Sequence, residues 1–143
     1  MKICVEAKKR KHFKKLTEKY FTGGSYDCWW QYKERSCIDI DDGVYCLKGY
    51  FEEDNYKILT YKQWKAVMEG GKGVAIRVKE VEQFNEVGLP YGHDRDSNIW
   101  EAYQPQKIYI KTDGFFCSKG YFKNNKHLIL SYKEWKAIRG ENK

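Results

Sequence analysis

Apolar and polar side chains alternate at the start of the chain, Ile3, Val5 and Ala7 against Lys2, Glu6 and Lys8. That period of two predicts a half-buried strand over residues 2–8. Val74, Ile76 and Val78 predict another over 74–79. The period then lengthens. Phe13, Leu16 and Tyr20 fall on one face of a helix over 12–21, stopped by Gly23-Gly24. A matching helix over 80–87 is stopped by Gly88 and Pro90. Three strands are expected next, over 26–34, 37–41 and 44–51, with a hairpin turn at Asp42-Gly43. Their counterparts lie at 98–103, 107–111 and 115–122, turning at Asp113-Gly114. Thr60 with Gln63, and Ser131 with Glu134, form capping boxes that open two closing helices. These bury Tyr61, Trp64 and Val67 (Tyr132, Trp135 and Ile138) and expose Lys62 and Lys65 (Lys133 and Lys136).

The two series are related by a constant offset. Asp42-Gly43-Val44-Tyr45-Cys46-Leu47-Lys48-Gly49-Tyr50-Phe51 returns as Asp113-Gly114-Phe115-Phe116-Cys117-Ser118-Lys119-Gly120-Tyr121-Phe122, and Tyr61-Lys62-Gln63-Trp64-Lys65-Ala66 as Tyr132-Lys133-Glu134-Trp135-Lys136-Ala137. The expected fold is therefore α+β, with two tandem copies of a β-α-β-β-β-α unit of about 71 residues and mainly antiparallel sheets. Unit 1 covers residues 1–71 and unit 2 residues 72–143, joined at the linker Gly70-Gly71-Lys72-Gly73. The last five elements of each copy resemble double-stranded-RNA-binding domains in their order. The resemblance is one of order alone, because Lys62-Gln63-Trp64-Lys65-Ala66 does not reproduce that family's basic motif.

Composition narrows the class. The 143 residues are 41% hydrophobic and 17% aromatic, which excludes a disordered polycation, and Pro 2 with Gly 12 excludes collagen-like and proline-rich chains. No secretory leader is read at the N-terminus, and no apolar run approaches the roughly 20 residues that span a bilayer. Five cysteines without a C-x-x-C pair point to a soluble protein of a reducing cytoplasm, the host cytoplasm if the chain is phage-encoded. The net charge of +7 admits a polyanionic partner.

Catalysis finds little support. Cys4, Cys28 and Cys37 are matched by Ala75, Ile99 and Ile108, replacements that suit small buried hydrophobes and not ligands or nucleophiles. Cys46 and Cys117 recur without a paired His or Asp. His12, His93 and His127 have no counterparts. A metal-dependent nuclease acting through His93, Asp94 and Asp96 ranks last, behind a solvated loop rich in Asx turns. A calcium loop there fails at Ile99 and Pro105. No enzyme, cofactor or metal is expected.

Charge carries more. Lys8-Lys9-Arg10-Lys11-His12-Phe13-Lys14-Lys15 is basic, whereas the matching Lys79-Glu80-Val81-Glu82-Gln83-Phe84-Asn85-Glu86 is largely acidic. The tip Glu52-Glu53-Asp54 inverts the other way, to Lys123-Asn124-Asn125-Lys126-His127. Lys48 with Tyr50, and Lys119 with Tyr121, share one strand face and suit phosphate contact and base stacking, the plainer reading being solvated lysines. The expectation is a non-catalytic basic protein contacting nucleic acid, or a ribonucleoprotein or defence complex, in the style of phage accessory and anti-CRISPR proteins. Lys8, Lys9, Arg10, Lys11, Lys14, Lys15, Lys123, Lys126, Lys133, Lys136 and Arg139 are assigned to phosphate, and Trp29, Trp100, Tyr50 and Tyr121 to bases. The alternatives are an assembly module forming a homodimer through the inverted charges, and a small-ligand sponge between the copies.

Overall fold

β1 (Ile3–Ala7) is buried at every position, although only its alternate residues are apolar by pattern. It lies inside a sheet of order β3-β2-β1-β4, flanked by β2 (Ser36–Asp39) and β4 (Lys57–Leu59), with β3 (Tyr45–Leu47) beyond β2. The structure is a computed structural model and describes residues 1–20, 29–92, 108–113, 116–118 and 127–140. The chain divides into two compact units, Met1–Trp64 and Lys65–Lys143, the division falling inside helix α4 (Tyr61–Glu69).

In the first unit, paired residues share a face. Val5 sits opposite Ile38 and Leu59, and Ile38 opposite Tyr45. Helix α1 (Arg10–Tyr20) covers that face, bringing Phe13 against Tyr45 with ring centroids 5.4 Å apart. The other face carries Cys4, Cys37 and Cys46, covered by Phe51 of helix α3 (Lys48–Glu53). Because both faces are covered, Glu6 is buried as well, at 7% exposure, where a half-buried strand would have left it in water.

Three expectations are corrected here. The strand expected over 26–34 is, where described, helix α2 (Trp29–Tyr32) followed by a 3-10 turn, Lys33–Arg35. Lys33 has a positive φ of 50°, incompatible with extended chain. The strand expected over 44–51 ends at Leu47, and Lys48 opens α3. Leu47 and Phe51 are four apart, a spacing that serves a helix turn as well as a strand. β4 was not expected at all. It is three residues long and pairs in parallel with β1, so the sheet is mixed and not mainly antiparallel.

The second unit has a sheet of order β7-β6-β5-β8, built from β5 (Val74–Val78), β6 (Ile108–Lys111), β7 (Phe116–Ser118) and β8 (Leu128–Ser131). β5–β6 and β6–β7 are antiparallel and β5–β8 is parallel, so this sheet is mixed too. Helix α5 (Val81–Gly88) buries Phe84 and Val87, and helix α6 (Tyr132–Arg139) buries Trp135 and Ile138. Both capping boxes form: Thr60 with Gln63 at α4, and Ser131 with Glu134 at α6. The expected linker is held, since Gly71 donates its N–H to the Thr112 carbonyl at 3.0 Å and accepts from the Thr112 hydroxyl at 2.6 Å. Gly70, at φ +92°, is needed there, because a Cβ would stand 3.2 Å from that same carbonyl oxygen. Among the described residues no helix is long and apolar enough to cross a membrane.

Candidate nucleic-acid interface

The period of α1 sorts its side chains cleanly. Phe13, Leu16, Thr17 and Tyr20 go inward, and Arg10, Lys11, Lys14, Lys15 and Lys19 stay exposed, joined by Lys8 and Lys9 just before the helix. This run is set against the helix's own electrostatics. The first turn holds no acidic residue, and Lys9, at the position where an oxygen-bearing cap is favoured, has no side-chain acceptor. Positive charge at a helix N-terminus opposes the macrodipole, at roughly 0.3–1 kcal/mol per residue at the surface. A row of cations at that end therefore costs stability, which a polyanion laid along it would offset.

Beside this row stands Trp30. It is 64% exposed, and the Arg10 guanidinium lies over its ring at 5.6 Å from the centroid. Trp29, one residue earlier, is only 7% exposed and packs on Phe13 at 6.0 Å. The turn presenting Trp30 is anchored from below: the Tyr45 hydroxyl donates to Gln31 Oε1 at 3.2 Å, and Gln31 Nε2 donates to the Tyr32 hydroxyl at 3.1 Å. Sequence reasoning chose Trp29 because Trp100 matches it and passed over Trp30, whose counterpart is Glu101. The usable signal was adjacency, since neighbouring residues of the strand expected there point to opposite faces, so only one of the two rings would share the core side.

Lys8, Lys9, Arg10, Lys11, Lys14 and Lys15 thus share a surface in the first unit. Lys48 and Tyr50 do not join it. They start α3, on the opposite face of the sheet, and are not side by side on a strand. The Lys48 ammonium meets Glu6 Oε1 at 2.6 Å, and that carboxylate holds its proton affinity above the ordinary lysine value. Tyr50 is exposed but packs edge-on to Phe51, next to Glu52 and Glu53. Lys48→Met should lower stability by about 1–2 kcal/mol, less than a fully buried pair would lose because Lys48 is half exposed. Urea unfolding reads that loss, and oligonucleotide affinity should not change.

In the second unit Lys133 is exposed, whereas Lys136 and Arg139 are occupied. The Lys136 ammonium meets Glu86 at 3.1 Å, and Glu86 also accepts from the Tyr132 hydroxyl. Burial pushes the Glu86 carboxyl upward, but these two donors outweigh it and hold it below its ordinary value. The Arg139 guanidinium donates to the Val67 carbonyl at 3.1 Å and lies 5.3 Å from the Trp135 ring centroid. Lys119, Tyr121, Lys123, Lys126 and Trp100 lie outside the described residues, as do His93, Asp94 and Asp96.

The Cys4 thiol is a poor nucleophile. A hydrogen bond with Cys37 and then burial push the Cys4 thiol far up, and both side chains are fully buried. Among the described residues no three His, Cys, Asp or Glu side chains gather to hold a metal ion. No family model, curated protein or solved structure matches the chain.

Proposed function

We propose that the chain is a non-catalytic nucleic-acid-binding protein that takes single-stranded segments along α1, phosphates on Lys8, Lys9, Arg10, Lys11 and Lys14 and a base on Trp30. The carrying observation is the exposed Trp30 ring under Arg10 at the edge of the lysine row. Aromatic faces beside a basic groove suit unpaired bases, whose π faces are accessible only out of a duplex. The shared strand order and pairing senses of the two sheets support reading the units as copies of one ancestral unit. Divergence after duplication then explains why only the first helix became basic.

Trp30→Ala should weaken binding of a labelled single-stranded oligonucleotide roughly 5- to 150-fold, the equivalent of about 1–3 kcal/mol per stacked base. Fluorescence anisotropy at fixed salt measures this. An unchanged affinity would remove Trp30 from the interface. A second reading, charge-matched pairing of two copies, is favoured by the exposed Glu80 and Glu82 of the second unit, which align with Lys9 and Lys11.

A further inference from the structure

The second unit carries a cleft of about 220 Å³ lined by Arg77, Lys79, Gln83, Ser131, Tyr132 and Lys133. It lies where the parallel neighbours β5 and β8 end, Lys79 following β5 and Ser131 closing β8. The carboxyl ends of parallel strands are where open α/β sheets generally receive ligands.

The lining offers donors. Arg77 Nε is buried and has no hydrogen-bond partner among the described residues. Native proteins rarely leave such a group unmatched. Lys79 and Lys133 are exposed at the rim. Gln83 spends its carbonyl oxygen on the Lys79 backbone N–H at 2.9 Å, so its amide hydrogens are what remain. Ser131 Oγ accepts from the Glu134 N–H at 3.1 Å, leaving its hydroxyl proton to donate. The Tyr132 hydroxyl is committed to Glu86, and its ring serves as a wall. Arg77, Lys79 and Lys133 thus bring three cationic side chains to the lining, and Gln83 and Ser131 two neutral donors.

The first unit fills the corresponding positions differently. Seventy-one residues before Arg77 stands Glu6, which takes Lys48 at 2.6 Å. In the place of Gln83 stands His12, its ring flat on Tyr61 with centroids 3.6 Å apart. The second unit has exchanged an acid for a guanidinium and a stacked ring for an amide.

We propose that this cleft is a binding site for a phosphate monoester group. Its volume is below the roughly 300–1,000 Å³ of pockets that swallow a drug-sized ligand, so it admits the phosphate and little of what carries it. Arginine with flanking ammonium groups and a serine hydroxyl is the donor set that dianionic phosphate calls for. The group can come from a free sugar phosphate or from the 5′ end of an oligonucleotide. The site stands on its own geometry, whatever binds α1.

Titration calorimetry on the full chain, at constant ionic strength, tests this with inorganic phosphate, ribose 5-phosphate and a 5′-phosphorylated trinucleotide beside its 5′-hydroxyl form. Saturable binding of phosphate or an ester is expected. Arg77→Gln should weaken it roughly 10- to 100-fold, by loss of a charged hydrogen bond. The exposed Lys133→Ala should weaken it less, and Lys62→Ala, at the matching position of the first unit, not at all. Preference for the 5′-phosphorylated trinucleotide over its 5′-hydroxyl form and over ribose 5-phosphate assigns the site to a strand end, and preference for ribose 5-phosphate assigns it to a free ester. No saturable binding of any phosphate, or equal affinity in Arg77→Gln and Lys133→Ala, overturns the proposal.

Discussion

Reversing Lys9, Arg10, Lys11 and Lys14 together to glutamate should abolish single-strand binding, an affinity loss of at least about 100-fold near physiological salt. All four side chains are exposed, Lys9 just before α1 and Arg10, Lys11 and Lys14 within its first five residues. Each phosphate contact on a single strand contributes roughly −0.7 to the slope of log affinity against log salt, so losing four should flatten that slope by about 3. The variant carries its own folding control. Glutamate at a helix N-terminus complements the dipole that lysine opposes, so the reversed protein should melt no lower than the parent. Lost binding with an unchanged or raised melting temperature places the effect on the surface. A variant that still binds as tightly moves the phosphate contacts away from α1.

Phe13→Ala should be among the most damaging single changes in the first unit, at about 3–5 kcal/mol. Its ring is 1% exposed and meets both Trp29 and Tyr45, so truncation opens a void between α1, α2 and the sheet. Domains of this size hold only about 5–15 kcal/mol in total, and the loss consumes much of that. Urea unfolding followed by tryptophan fluorescence should show the midpoint collapsing. Because Phe13 fixes the helix that carries the lysines, binding should fall with it. A loss under about 1 kcal/mol would mean that α1 is not seated on the sheet as described.

Some of this architecture was legible along the chain, for identifiable reasons. β1 and α1 declare themselves because their periods persist over several turns or pleats, and the capping boxes at Thr60 and Ser131 are local chemistry. β4 was missed because its only described sheet partner is β1, more than fifty residues away in sequence, and a parallel pairing leaves no local turn signal. At Lys48 the chain turns helical to lay Phe51 over Cys4 and Cys37, a tertiary demand that the alternation of residues 44–51 does not disclose. The same burial drew Glu6 inward, and its pairing with Lys48 holds that lysine on α3, away from the exposed lysine row of α1. The lysine row was legible as charge. Its aromatic companion was not, since the repeat directed attention to Trp29, and only packing against Phe13 shows which of the two tryptophans is spent in the core.

The most direct measurement is the affinity of the wild-type chain for a labelled single-stranded oligonucleotide across roughly 50–200 mM salt. Four to six phosphates neutralised along α1 give a straight line with a slope near −3 to −4. A flat line, or no binding at the lowest salt, would contradict the assignment of this surface to nucleic acid.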